Sequence, residues 1–338
     1  MNGISIIICC HNSASRIGDT LKHLQKTVSP DCDWEVLLID NNCSDSTPSI
    51  AQKTWEENPV ASFRVIKEPK PGLASAREKG LKESAFPIIA FVDDDNHLPP
   101  EWVQNAHLFM RANPNCSACG GPVKPKCELT PPFWFKDFEG NYSTYDYYNE
   151  DTLVTHALIG AGLVIRKQHL EKVYQEGFSS ILSDRKGTRL SSGGDYELCY
   201  ALLLNGGSLW FTPKLRIEHF IPQERLKWEY LKRLNRGFGE QAPILEMYES
   251  LIRGPGTPFS WKRESLHCIP AMLQSGLRAL KDAIGGKLEG SHNQLLLINQ
   301  SSRLISLLRQ RSKYDRKSIS LKRAPWNKLN PPKPNASS

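Results

Sequence analysis

Pro87-Ile88-Ile89-Ala90-Phe91-Val92 runs straight into Asp93-Asp94-Asp95-Asn96. The short apolar run reads as a strand, and the polar run as the loop at its carboxyl end. Three consecutive carboxylates repel one another, and repel any phosphate, unless a cation sits among them. In extended chain Asp93 and Asp95 point to one side, so the outer pair can serve one ligand. A divalent ion such as Mg2+ or Mn2+ suits such a place, because it prefers hard oxygen ligands from one or two carboxylates and substrate phosphates. The same residues also fit a solvated acidic loop in which Asn96 or Asp95 caps the next helix.

On either side of this stretch, short runs rich in β-branched residues alternate with helix-period segments. Strands are expected over residues 4–10, 35–40, 63–67, 88–93 and 117–123. Ile17, Leu21, Leu24 and Val28 repeat at helical spacing, residues 72–83 read as a second helix, and Pro99-Pro100 opens a third. This is the pattern of an α/β sheet with crossover helices. From Pro125 to Glu150 the alternation gives way to an ordered loop rich in Pro and aromatics, including Phe133-Trp134-Phe135. Strand-like 157–165, a helix over 195–204 and short strands at 208–211 and 215–220 follow. Residues 226–239, 266–284 and 294–311 read as amphipathic helices, and the end from Ala324 as a disordered tail.

The 338 residues are 39% hydrophobic and 23% charged, too apolar for a disordered chain. Nine cysteines are too sparse, and odd in number, for a disulfide-stapled fold, so a reducing compartment is expected. No apolar run approaches the ~18 residues of a membrane span. Met1-Asn2-Gly3 lacks the basic start of a signal peptide, which leads to the expectation of a cytoplasmic protein. The net charge of +7 hides an asymmetry: residues 1–222 carry 22 basic and 27 acidic side chains, and residues 223–338 carry 21 and 9. Three regions are therefore expected, namely a catalytic domain over 1–222, a basic helical extension over 223–323 and a tail over 324–338.

Ligands of open α/β sheets collect at the carboxyl ends of strands. Here those ends read Cys9-Cys10-His11-Asn12, Asp40-Asn41-Asn42-Cys43-Ser44-Asp45 and Asp93-Asp94-Asp95-Asn96. No Gly-x-Gly-x-x-Gly follows the first strand, which argues against a dinucleotide-binding domain. Together with Gly72-Leu73-Ala74-Ser75-Ala76-Arg77-Glu78-Lys79-Gly80 and Gly193-Gly194-Asp195-Tyr196-Glu197-Leu198, then Pro213 and His219, these blocks resemble glycosyltransferase family 2 in residues and order. The likeness covers residues 4–220. It implies a GT-A-type, Rossmann-like mixed sheet flanked by helices, which binds a nucleotide-diphosphate sugar through a metal.

Carried over block by block, the resemblance implies that Cys10, His11, Asn12, Asp40 and Asn42 border the nucleotide base and that Arg77 reaches the nucleotide or the aspartates. It also implies that Asp93 contacts ribose, with Asp94 beside it, and that Asp95 ligates the metal, with His219 as a further ligand. Cys9-Cys10-His11 stands where the family often has Pro-Thr-Tyr, so a threonine hydroxyl contact is lost. Asp195 is the expected catalytic base, kept ionised at the start of a helix. Each block has a plain structural alternative. Asp40 to Asp45 fits an Asx-turn, Arg77 a surface ion pair, Asp195 an N-cap and His219 a structural histidine. Cys116-x-x-Cys119 with Cys127 lacks a fourth zinc ligand at standard spacing.

The resemblance thus implies a metal-dependent inverting transfer of sugar to a glycan or lipid-linked acceptor, in surface or extracellular polysaccharide synthesis. The basic C-terminal part suits peripheral contact with the anionic inner face of a membrane, or a solvated helical face. No nucleic-acid module accompanies it. Two rivals are a nucleotidyltransferase, whose glycine- and lysine-rich loop residues 9–15 do not supply, and a catalytically silent sugar-nucleotide-binding or scaffold protein.

Overall fold

The structure is a computed structural model that describes residues 2–28, 31–182, 193–254, 259–287 and 289–329. Its strands are β1 (Gly3–Cys10), β2 (Asp33–Asp40), β3 (Ser62–Lys67), β4 (Ile88–Val92), β5 (Asn96–His97), β6 (Cys116–Gly120), β7 (Val123–Cys127), β8 (Thr152–Val154), β9 (Leu163–Arg166), β10 (Ser208–Phe211) and β11 (Ile217–Ile221). Its helices are α1 (Ile17–Leu24), α2 (Thr47–Glu57), α3 (Leu73–Glu83), α4 (Trp102–Ala112), α5 (Phe135–Phe138), α6 (Lys167–Gln175), α7 (Gly194–Leu204), α8 (Trp228–Ile252), α9 (Trp261–Ile284) and α10 (His292–Lys322).

The chain divides into two units. One holds Met1–Thr130, Tyr142–Lys172 and Gly207–Gln223; the other holds Pro131–Asn141, Val173–Gly206 and Glu224–Ser338. The last division along the chain falls between Gln223 and Glu224. Residues 131–141 and 173–206 group with the helical unit.

The first unit is built on an eight-stranded sheet of order β3-β2-β1-β4-β9-β6-β10-β8. β3, β2, β1 and β4 are parallel, and β9 runs antiparallel to both β4 and β6, so the sheet is mixed, as expected. Ile4, Ile6, Ile7 and Ile8 are all buried, since a central parallel strand is covered on both faces. On one face α3 lies so close that a Cβ on Gly80 would stand 2.4 Å from Ile7 Cγ2. Register pairs Cys10 with Asp40 and Ile8 with Val92, which brings the polar ends of β1, β2 and β4 to one edge.

Three local expectations change. The helix read to Val28 ends at Leu24, and Val28 is half exposed. The strand read over 117–123 is two strands in different sheets, because the chain turns at Gly120-Gly121-Pro122. A Cβ on Gly121 would meet the Leu215 carbonyl oxygen at 2.4 Å. Within 157–165 only β9 is a strand, since Gly162 just before it has φ +71°. β7 joins β11 and β5 in a small second sheet, where His219 is paired with Asn96.

The helical unit packs α8, α9 and α10 together; α8 and α9 are longer than their apolar periods alone suggested, and α10 is broken at Arg311, where the read helix ended and a second helical stretch begins. Part of the expected tail is ordered: Lys328 N–H donates to the Leu204 carbonyl at 2.7 Å, and Trp326 is buried. Residues 330–338 of that tail lie outside the described residues. Among the described residues no helix is long and apolar enough to cross a membrane.

Candidate functional site

The strand-end edge of the sheet unit is held by side-chain amides. Asn41, directly after β2, donates from Nδ2 to the carbonyls of Glu68 (3.0 Å) and Lys70 (2.8 Å) and accepts the Gly72 N–H at 2.8 Å. Gly72, at φ +119°, opens α3, so one asparagine fixes the loop that aims Arg77. Asn12 and Asn42 both adopt left-handed backbone, at φ +55° and +61°, a conformation asparagine tolerates better than most residues. Asn42 Nδ2 donates to the Pro69 carbonyl at 3.0 Å, and Asn12 Oδ1 accepts the Ser44 N–H at 2.8 Å. The β1 and β2 loops are thereby tied together.

Within this edge Asp40 is buried and its Oδ1 accepts the Cys43 N–H, three residues on, at 2.8 Å, so one carboxylate oxygen is spent on ordering the loop. His11 is exposed, with Nδ1 2.9 Å from the Asn41 carbonyl. Cys10 turns its thiol into the core, where burial holds its pKa well above the usual thiol range. Any ligand contact at Cys10 falls to its backbone.

The chain leaves β4 at Val92, so the three aspartates divide their work in a turn rather than in extended chain. Asp94 Oδ2 accepts from Ser13 Oγ and from the Arg16 guanidinium at 2.8 Å, while its carbonyl accepts from Thr20 Oγ1 at 2.9 Å. That binds the loop after β4 to the start of α1. Asp93 and Asp95 take the other side. Asn96 orders this turn, accepting the Asp93 N–H at 2.8 Å and donating its own N–H to the Asp93 carbonyl at 3.1 Å.

Asp95 is buried, and its Oδ1 lies 3.5 Å from His219 Nε2. His219 Nδ1 lies 2.8 Å from the Tyr142 carbonyl. A carbonyl oxygen only accepts, so Nδ1 carries the proton and Nε2 is the nitrogen turned toward Asp95. Metal-ligating histidines are oriented in this way by a partner on the far ring nitrogen. Burial first, and the charge of Asp95 second, push the Asp93 carboxyl up to about 6, against the opposing pull of Arg77 and His219. Arg77 is buried on α3 with its guanidinium 5.6 Å from the centre of the Phe91 ring. The first-unit residues singled out from sequence thus share one edge of the sheet.

A divalent cation fits this donor set. It would be held by Asp95 and His219, and it would relieve the Asp95 repulsion that adds to burial in raising Asp93. Among the described residues no group of three or more His, Cys, Asp or Glu side chains is arranged to hold a metal. The rest of the shell would come from substrate oxygens and water, the usual pattern for Mg2+.

Asp195 belongs to the helical unit, half buried in the first turn of α7. Gly193, at φ +116°, takes the N-cap position, so Asp195 is not the capping residue. Glu197, two residues on, is fully buried. It accepts from Ser180 Oγ, from the N–H groups of Ile181 (2.9 Å) and Leu182 (2.8 Å), and from Tyr248 OH (2.9 Å).

Sequence reading passed over Asn41 and Glu197 as organisers of these loops and took Asn96 only as a candidate helix cap, whereas it lies in β5 and Glu101 takes the N-cap of α4. The two asparagines could have been found, because an amide directly after a strand-end aspartate is a common loop organiser.

Comparison with known proteins bears on this arrangement at three levels. Poly(ribitol-phosphate) beta-glucosyltransferase of Bacillus spizizenii is 24% identical over 210 residues, which is 60% of this chain and about a third (33%) of that relative's length. Succinoglycan biosynthesis protein ExoM of Rhizobium meliloti is 23% identical over 241 residues, 69% of this chain and 72% of that protein. Among solved structures, mannosyltransferase PcManGT from Pyrobaculum calidifontis, in complex with GDP-Man and Mn2+, superposes with a TM-score of 0.56 at 17% identity. It covers 91% of this chain and 86% of its own, and the likeness is one of fold. The sequence model of glycosyl transferase family 2 matches residues 5–174, from the first strand of the sheet through the aspartate loop and into α6. That match takes in half of the chain and the strand ends where the aspartates gather, and on this ground the chain belongs to glycosyl transferase family 2.

Proposed function

We propose that the chain is a metal-dependent, inverting glycosyltransferase. It would move a sugar from a nucleotide-diphosphate donor to a glycan or lipid-linked acceptor in polysaccharide synthesis, in the cytoplasm. The observation that carries this reading is the meeting of Asp93, Asp95 and His219 at the strand ends, with Arg77 acting on the same carboxylates. Like charges are drawn out of water there in a way that costs stability unless a cation is bound. Two relatives named for polymer glycosylation and succinoglycan biosynthesis, and a fold neighbour solved with GDP-Man and Mn2+, support the substrate class and the ion.

In this reading the loops after β1 and β2 hold the base and ribose, with His11, Asn12, Asp40 and Asn42 supplying polar edges and Asp93 facing the ribose. Mg2+ or Mn2+ on Asp95 and His219 would neutralise the diphosphate that leaves. Asp94 serves by fixing the aspartate loop to α1. Asp195 acts as general base. It takes the acceptor hydroxyl proton as that oxygen bonds to the anomeric carbon. The bond from that carbon to the diphosphate oxygen breaks on the opposite face, so one displacement inverts the centre.

The test is to incubate the purified chain with UDP-, GDP- and dTDP-sugars and Mn2+ or Mg2+, and to follow nucleoside diphosphate release with candidate acceptors. Release that needs the metal and is lost in Asp195→Asn supports the reading. Tight donor binding without turnover under any acceptor would point to a sugar-nucleotide-binding protein instead.

A further inference from the structure

α9 is amphipathic the wrong way round for a helix packed on a protein. The residues it buries are small: Ser265, Cys268 and Ser275. Six of its large apolar side chains, Leu266, Ile269, Leu273, Leu277, Leu280 and Ile284, are exposed, from 40% to 81%. Their spacing of three or four residues confines the six to an arc of about 80° on the helix, centred about 120° round from the buried serines and cysteine. Apolar stripes of this length on a water-facing surface mark interaction sites.

The charges of α9 say what would cover the stripe. Lys262, His267, Arg278 and Lys281 are exposed on the same helix. Its two acidic residues are engaged away from the stripe. Glu264 pairs with Arg303 at 2.8 Å, and Asp282 accepts from Ser291 Oγ at 2.6 Å and Asn293 Nδ2 at 3.0 Å. A second copy laid on this face would bring basic flanks together with no carboxylate of α9 to answer them. A bilayer with anionic headgroups supplies both an apolar layer and the opposite charge, and the chain from residue 223 on is strongly basic.

We infer that α9 docks the protein peripherally on an anionic lipid surface, its leucine stripe entering the headgroup boundary and Arg278 and Lys281 meeting the headgroups. The inference stands apart from the transferase reading, because vesicle binding is measured without donor or acceptor.

The experiment is co-flotation of the full chain with vesicles of phosphatidylcholine alone or mixed with phosphatidylglycerol, at low and high salt. Binding to the mixed vesicles is expected, weaker at high salt and on phosphatidylcholine alone. Leu273→Gln/Leu277→Gln/Leu280→Gln should lower partitioning by about tenfold or more. Arg278→Gln/Lys281→Gln should lower it by about fivefold per charge on anionic vesicles alone. Leu129→Gln, an exposed apolar residue of the other unit, should leave it unchanged. The inference is overturned by absent binding, by binding indifferent to lipid charge, or by binding that survives the triple leucine change. It is equally overturned by a dimer in sedimentation equilibrium that the triple change dissolves, which would give the stripe to a second copy.

Discussion

Glu197 in the helical unit and Asp93 at the strand ends are both carboxylates drawn out of water, and their surroundings treat them in opposite ways. Burial pushes the Glu197 carboxyl up as it does Asp93, but two backbone N–H groups and the hydroxyls of Ser180 and Tyr248 converge on it and each favours the ionised form. Around Asp93 the strongest neighbouring influence is repulsion from Asp95. Glu197 is a finished structural joint that pins residues 180–182 to α7 and α8. In the proposed reading a bound cation answers the aspartate loop, whose mutual repulsion Arg77 and His219 offset only in part.

The largest effect that would sharpen this contrast is on chemistry. Asp195→Asn should lower turnover by about 10²- to 10⁴-fold, with donor affinity within about twofold of the parent chain. Equal turnover would remove Asp195 from the reaction. Next, neutralising the two contrasted carboxylates should move stability in opposite directions. Glu197→Ala strands four donors and should cost about 3 kcal/mol, read as a lower denaturant midpoint.

Asp93→Asn should instead stabilise the metal-free chain by about 1–2 kcal/mol near neutral pH. The sign follows from protonation. Asp93 titrates near 6 in the fold against an ordinary value of 3.8, so the folded chain holds this proton more tightly than the unfolded chain in that window. The Asp93 contribution to metal-free stability therefore falls as pH rises through it. Scanning calorimetry in chelator at both ends of the window checks this, and the Asn variant should lose that part of the slope. A destabilised Asp93→Asn chain would make the aspartate loop a structural joint like that of Glu197.

The smallest effect belongs to Asp94, whose partners are Ser13, Arg16 and Thr20. Asp94→Asn should cost about 1 kcal/mol and leave metal-dependent donor binding within a few fold. A loss matching that of Asp95→Asn would return Asp94 to the ligand site.

Much of the sheet unit was legible because its signals are local. Apolar runs ending in polar residues located β1, β2 and β4, whereas the turn that sets Asp94 apart from Asp93 and Asp95 begins where the extended chain ends at Val92. What each aspartate meets was not legible. Arg16 reaches Asp94 across 78 residues, and His219 reaches Asp95 only because β11 pairs with β5. No local pattern encodes either pairing. The unit boundary was hidden for the same reason, since residues 131–141 and 173–206 join the helical unit through tertiary packing rather than any change of composition. In α9 the leucine period was visible from residue 266 onward. Which face it would turn outward was not, because small buried residues at Ser265, Cys268 and Ser275 carry no apolar signal.

The most direct measurement is calorimetric titration of UDP, GDP and dTDP into the full chain, with Mn2+ and with chelator, beside Asp95→Asn. A divalent cation held by Asp95 and His219 should make one of these nucleotides bind at least about tenfold more tightly with the metal, and Asp95→Asn should abolish that difference. Affinity that is the same in chelator, or a metal effect that survives Asp95→Asn, would contradict it.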